Sequence, residues 1–393
     1  MKLLVISLDA LDSNDLTILS KLPNFKNLLK KGTLVKDVQT MFVSNTYPIH
    51  TSMISGKYPK NHQLYDNCFF EKDTNNPQWR WEFDNIKSET VVSQALKKQL
   101  KIANIFWPVM CKAPLKYNLP EIIARDHQSQ VMEILKNGSG FFIIKEFIRH
   151  FKQFKGINQP TLDDFSTEIA CDILKESKCD LVLLHLTDTD THKHDHGHDN
   201  KKVIESIGRM DKRLGKLTSC ANDQYQILIV SDHSQISVDT NIDLNDHFAN
   251  HPLKEKFWFY QTGGCALVLE KEEFTSSERK NLINDLKKDK YIKRLLNEEE
   301  MDLSGFNTTS TIGLVPNNKI AFSADGHQHH GIHGLPLDEF PYKPFYFVIG
   351  QNVKENQELK GGKIFDVCPL ICQLLDIPTW DMDAKINNNI FIK

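Results

Sequence analysis

Three short apolar runs in this chain of 393 residues each deliver an acid. Leu3–Leu8 (LLVISL) runs into Asp9, Leu181–Leu186 (LVLLHL) into Asp188 and Asp190, and Ile227–Ser231 (ILIVS) into Asp232. Apolar runs of this length without polar alternation read as strands buried on both faces. Amphipathic helical patterns lie between such runs. They cover Leu22–Leu29 before Gly32, Thr90–Leu100, Phe165–Ser177, and Val203–Leu217 with apolar residues at 203, 204, 207, 210, 214 and 217. Further strands are expected over 34–44, Ile102–Pro108 and Phe345–Ile349, with a closing helix over Phe365–Leu375. The alternation implies an α/β fold with a largely parallel central sheet covered on both faces. Sites in such sheets form just outside the carboxyl ends of the strands. Three acids gathered there would repel one another and be costly to desolvate, so a cation is their natural partner.

Histidines accompany the acids. His233 directly follows Asp232, the segment Thr187–Asp199 (TDTDTHKHDHGHD) is crowded with His and Asp, and HQHHGIHG spans His327–Gly334. Mixed Asp/His ligation suits Zn²⁺ or a similar divalent ion. A solvated, His-rich loop that binds metal only adventitiously is the competing explanation, and it suits His327, His329 and His330 better than it suits residues 187–199.

A hydroxyl is placed near these groups by a different device. In Phe42–Asn67, Pro48 suits the first turn of a helix and Gly56 the position just past its end. Ile49, Met53 and Ile54 recur at helical spacing between them. Thr46 then falls at or next to the N-cap, where a threonine is favoured. The unpaired N–H groups and positive dipole of a helix start suit a phosphate-like anion. Taken alone, Thr46 is better explained as a cap, because N-cap threonines far outnumber catalytic ones.

Composition bounds the rest. With 40% hydrophobic and 25% charged residues, the chain has the make-up of a soluble globular protein with a substantial core. It is expected to form a single catalytic domain over 1–393. A change of texture predicts a small α/β lobe inserted at 246–320: strands around a Gly-Gly turn within Phe257–Glu270, a charged helical stretch over Ser277–Met301, and strand-like sequence to Phe322. Phe141–Phe154 reads as a core-packed helix with a solvated basic face rather than as a membrane or partner surface. The net charge of −3 carries no footprint for a nucleic-acid polymer or an anionic membrane. No run approaches membrane-spanning length, and MKLLVISLD is too short for a secretory core. Eight scattered cysteines without a CxxC pair read as reduced thiols in a cytoplasmic protein.

The ordered set of motifs resembles the type I phosphodiesterase/nucleotide pyrophosphatase branch of the alkaline phosphatase superfamily. It comprises the strand ending in Asp9, Thr46-Tyr47-Pro48 followed by SGKYPKNH and Asp66-Asn67, and Trp107-Pro108. Tyr117-Asn118 with Pro120-Glu121, a DxxxHxxG element, Asp232-His233 and Gly331-x-His333-Gly334 complete it. The resemblance implies an alkaline-phosphatase-like three-layer sandwich and two divalent ions, Zn²⁺ being the expected species. Asp9, Thr46, Asp232 and His233 would hold one ion, and Asp190, His194 and His333 the other. Asp190 with His194 and Gly197 fits the whole DxxxHxxG pattern, whereas Asp188 with His192 lacks the glycine. Asn67 matches the family's phosphate-binding asparagine, and Tyr47 and Tyr117 sit where relatives stack aromatics on a nucleobase, though either could equally be a packing residue. The sequence departs from the pattern at Lys193, His198, Ser234 and Asn45, none of which removes a ligand.

The implied chemistry is hydrolysis of a phosphodiester or nucleotide pyrophosphate, a small-molecule substrate, through a phosphothreonine on Thr46. Metal coordination makes an alcohol a competent nucleophile, and two ions about 4 Å apart serve both the attacking and the leaving oxygens. A phosphonate hydrolase of the same superfamily is the enzymatic rival, and a non-catalytic metal-binding module the non-enzymatic one. The CxPxR or SxPxR element of a sulfatase is absent.

Overall fold

A computed structural model describes residues 1–261, 264–308, 312–324 and 326–392. Its centre is an eight-stranded sheet in the order Gln357–Lys360, Thr33–Lys36, Tyr346–Ile349, Gln226–Val230, Leu3–Leu8, Leu181–Leu186, Ile102–Ile105 and Tyr117–Leu119. All neighbours pair in parallel except Tyr346–Ile349, which runs antiparallel to both strands beside it. The three acid-bearing runs are the three adjacent central strands, with Leu3 opposite both Leu181 and Gln226.

The two-residue period of a strand sends alternate side chains into two separate cores. Leu3, Val5, Leu181, Leu183, Leu228 and Val230 join the first core, with Ile49 and Met53 of the helix Thr46–Ser55 and Leu370 and Ile371 of Val367–Leu375. Leu4, Ile6, Leu8, Val182, Leu184 and Ile229 join the second, with Ile169 of Thr161–Glu176 and Ile207 and Leu214 of Lys201–Ala221. Helices therefore cover both faces, giving the three layers expected. Thr90 caps Val91–Lys97 with a reciprocal Ser93 hydrogen bond, so that helix begins one residue later than its periodicity predicts.

A second, antiparallel sheet has the order Ile292–Leu295, Gly313–Pro316, Ala266–Glu270 and Phe257–Gln261. With the helix Ser276–Lys288 it packs a core containing Phe257, Phe259, Leu282, Leu286 and Phe322. The expected turn at Gly263-Gly264 involves Gly263, which lies outside the described residues. The charged stretch over Ser277–Met301 is not one helix. It breaks after Lys288, forms the strand Ile292–Leu295 around buried Ile292, and resumes as Glu298–Ser304 behind an Asn297 capping box. Charge density masked a strand of only four residues.

A further correction concerns the basic aromatic stretch. It forms the helix Gly140–Arg149, whose Phe142 is buried, but Phe141, Ile144, Ile148 and Phe151 lie in solvent. Only one of its two apolar stripes has a core to pack against. Among the described residues, no helix is long and apolar enough to cross a membrane.

Candidate active site

Thr46 is the first residue of its helix, Asn45 is the cap residue, and Gly56 ends the helix in the left-handed conformation at φ 68°. The Thr46 hydroxyl thus stands at a helix start, beside the carboxyl ends of the central strands. Its Oγ1 lies 3.4 Å from His233 Nε2. That same nitrogen is 3.2 Å from Asp232 Oδ2 and 3.5 Å from Asp9 Oδ1.

The two carboxylates are used asymmetrically. Asp9 Oδ2 accepts from His185 Nε2 at 2.9 Å, and Asp232 Oδ1 accepts from the Ala10 N–H at 3.0 Å. Asp9 Oδ1 and Asp232 Oδ2 are buried with no hydrogen-bond partner. Buried polar atoms are rarely left unpaired, so two orphaned anionic oxygens beside an imidazole nitrogen need a cation. Burial, then Asp232 and Asp190, push the Asp9 carboxyl well above its ordinary range. Ligand atoms of Asp9, Asp232 and His233 all lie within 4.8 Å of one another, as do those of Asp190, His233 and His333. This donor set fits divalent ions, His233 being common to the two groups.

The second group is held by outer contacts. His194 Nδ1 sits 2.8 Å from the Gly331 carbonyl, and its Nε2 lies 3.5 Å from Asp190 Oδ1. A ring N–H donated to that carbonyl leaves Nε2 with its lone pair for a ligand. His333 Nδ1 lies 2.9 Å from Asn45 Oδ1, and its ring stacks on His233 at 4.1 Å between centroids. Burial, followed by neighbouring histidines, holds both His233 and His333 well below the usual imidazole range. Neutral imidazole is the form that binds metal.

The helix Asp188–His196 also separates the two registers. Asp190 and His194 face His333 and Gln235, whose amide donates to Asp190. Asp188 is fully buried against Arg209 and Arg213 and pairs with His192 at 3.0 Å. Three cationic partners saturate it, so Asp188 and His192 serve the fold. His327 and His329 lie at the rim, the latter with its ring 5.3 Å from His194.

Asn67 adjoins the nucleophile helix. Its Oδ1 accepts the Tyr47 N–H at 2.9 Å, which leaves the amide NH₂ as the donor available to a ligand. Asn45 links this region to His333, since its NH₂ donates to Asp66 Oδ1, which also accepts the Asn67 N–H. Asp66 is pushed up to about 6, chiefly by burial.

Both aromatic positions need correction. Tyr47 is completely buried, edge-on to Trp79 at 5.2 Å, and offers no face for a base to stack on. Tyr117 stands at the amino end of its strand, where it packs edge-on against Phe142. In a parallel sheet that end is opposite the site. Two residues past the same strand, Glu121 does reach the centre, 2.9 Å from His185 Nδ1.

His185 and His50 were not singled out from the sequence, and Glu121 was read there only as part of a motif, with no role. His50 Nδ1 lies 2.8 Å from the Thr46 carbonyl and its Nε2 2.8 Å from Ser7 Oγ, bracing the nucleophile helix on the first strand. The available signal was His185 itself, a lone polar residue within an apolar strand, and His50 one helical turn after Thr46. Beside the centre lies a cavity of about 370 Å³, with Thr46, Asp9, Asp190 and His185 at one end and Trp79, Ile122, Ile134, Ile157 and Leu162 along its walls.

The chain is similar to proteins of one known family. The sequence profile described as "Type I phosphodiesterase / nucleotide pyrophosphatase" matches residues 3–331. Human ectonucleotide pyrophosphatase/phosphodiesterase family member 1 is 30% identical over 98 residues, 22% of this chain and 10% of that protein. Mouse bis(5'-adenosyl)-triphosphatase enpp4 is 29% identical over 116 residues, 27% of this chain and 24% of that protein. These matches therefore span a quarter or less of the relatives' length. Rat family member 7 is 21% identical over 401 residues, covering 96% of this chain and 83% of the relative. The solved structure of murine ectonucleotide pyrophosphatase/phosphodiesterase 5 covers 98% of both chains with a TM-score of 0.71 at 17% identity, a likeness of fold. A profile match over most of the length, on a chain whose central strands bring Asp9, Asp232 and His233 together, makes this protein a member of the type I phosphodiesterase/nucleotide pyrophosphatase family.

Proposed function

We propose that the chain is a metal-dependent hydrolase of small phosphodiesters or nucleotide pyrophosphates, working through a covalent phosphothreonine on Thr46. The observation that carries this reading is the Thr46 hydroxyl at a helix start, 3.4 Å from His233 Nε2 and beside the unpaired oxygens of Asp9 and Asp232. The description of a murine family member 5 structure as inactive, with a Thr-to-Ala substitution and bound AMP, supports a threonine in this role.

Asp9, Thr46, Asp232 and His233 would hold one divalent ion, and Asp190, His194 and His333 the other, Zn²⁺ being favoured by the donor set. When bound, such ions lower the pKa of a coordinated hydroxyl and offset the charge of the phosphoryl group. The chain's own part is positional. The Thr46 N–H at the start of its helix and the Asn67 amide NH₂ would both donate to the phosphoryl oxygens, the Tyr47 N–H being taken up by Asn67 Oδ1. Thr46 Oγ1 attacks phosphorus, the P–O bond to the leaving group breaks, and the phosphoryl group is carried on Thr46. Water then cleaves that ester and restores the hydroxyl. His185 fixes Asp9 through a hydrogen bond on its unligated oxygen, and Asn45 does the same for the His333 ring.

Thr46→Ala is the test. Turnover of bis-nitrophenyl phosphate should fall by at least about 10³-fold, as when a nucleophile is lost. Metal content, read by elemental analysis, should be unchanged. Near-wild-type turnover would remove Thr46 from the mechanism.

A further inference from the structure

We infer that the helical hairpin over residues 130–155 is a docking surface for an anionic lipid bilayer. The hairpin consists of Gln130–Asn137 and Gly140–Arg149. Phe141, Ile144 and Ile148 are spaced 3 and 4 residues apart along one side of Gly140–Arg149, and Phe151 follows in the turn past its end. They are 87%, 50%, 70% and 62% exposed. Val131 and Met132 on the preceding helix are exposed as well. A folded chain rarely leaves an aromatic and aliphatic stripe in water without a use for it.

The chemistry around the stripe selects the partner. Lys152 and Lys155 follow the stripe in the chain and, with Lys212 and Lys216, line a cleft of about 470 Å³ that also holds Asp164 and Glu168. Lys216 is paired with Glu168, but among the described residues Lys152, Lys155 and Lys212 have no carboxylate within ion-pair distance. These three lysines stand without an ion pair on a protein whose net charge is −3. Apolar side chains that enter the acyl boundary, beside lysines that meet anionic headgroups, are the two components of interfacial binding. A protein partner that needed only an apolar face would not require unpaired lysines beside it.

The apolar surface also continues inward. Ile144 and Phe147 line a pocket of about 240 Å³ that shares Phe106, Ile134, Ile157 and Leu162 with the catalytic cavity. A bilayer on this face therefore lies against the wall of the candidate active site. The inference does not depend on the proposed hydrolysis, because the surface is read from exposure and charge alone.

The test is co-sedimentation of the full chain with vesicles of phosphatidylcholine, with and without phosphatidylserine. Binding is expected only with the anionic lipid and should weaken as salt rises. Each lysine removed near the surface should cost about fivefold in binding, so Lys152→Gln with Lys155→Gln should cost about 25-fold. Phe141→Asp with Ile148→Asp should abolish binding. All four positions are solvent-facing, and an unchanged thermal melt checks that each variant is folded. Equal binding by the wild type and both variants would overturn the assignment, as would no binding to either vesicle. A wild-type dimer that Phe141→Asp with Ile148→Asp converts to monomer, without vesicle binding, would assign the stripe to a second copy of the chain and would also overturn it.

Discussion

Lys193 is a charge enclosed by protein, and its surroundings explain how a lysine is accommodated at this departure from the family pattern. Its side chain is fully buried, with Nζ 2.6 Å from Asp15 Oδ2, 3.2 Å from Asp12 Oδ2 and 2.7 Å from the Ala10 carbonyl. His198, another departure from the family pattern, adds a 2.7 Å contact to Asp12, and so does Ser234. Burial raises the Asp12 carboxyl, but Lys193 and His198 outweigh it and hold the group below the usual range. Three of the four departures thus belong to one internal network. It ties the helix carrying Asp190 and His194 to the loop that follows Asp9. Removing one partner of a buried pair leaves an uncompensated charge, which costs about 3–5 kcal/mol. Lys193→Ala should lose stability on that scale in urea unfolding at pH 7, far more than the fraction of a kcal/mol expected for removing the exposed Lys201. A loss below about 1 kcal/mol would mean that the cluster binds a solvent cation in place of the ammonium.

At the scale of elements, the nucleophile helix is defined at both ends by residues legible in the sequence, Pro48 inside the first turn and Gly56 past the last. Gly56 takes a positive φ, and a Cβ there would meet Met382 at about 3.0 Å. Gly56→Ala should therefore destabilise the chain by about 1–2 kcal/mol in thermal or urea unfolding, from backbone strain and contact together. Much of the site could be read for the same reason as this helix. Asp9, Asp232 and His233 follow apolar strands whose ends must meet at one edge of the sheet, and the glycine spacing favoured Asp190 with His194. What escaped reading depended on direction rather than on pattern. Tyr117 belongs to a motif, but the motif does not say that it opens its strand while Glu121 follows it. Likewise, Phe141–Phe154 has apolar residues on both sides, and only the positions of its neighbours decide which side is covered. Ile292–Leu295 was lost inside a charged stretch because four residues are too few for a period of two to stand out.

Over the whole molecule, the candidate centre joins parts of the chain that share no local structure. The central sheet contributes Asp9 and Asp232, one helix Thr46, another Asp190 and His194, and the returning segment His333. Divalent ions that bind this arrangement and not the unfolded chain add to global stability, by about 4 kcal/mol at a thousandfold excess over Kd. Exhaustive chelation should therefore lower the melting temperature of the entire domain in a single transition and abolish ester hydrolysis, with both recovered on adding Zn²⁺. Loss of hydrolysis with an unchanged melt would mean that the ions contribute nothing to folding. Because His333 is the last of the candidate ligands along the sequence, a ribosome must extend the chain past it before the candidate centre can form. A nascent or prematurely ended product would thus carry the threonine and most of the acids yet remain chemically silent, so hydrolytic activity in a cell extract would report chains that extend through this late histidine and have folded around it.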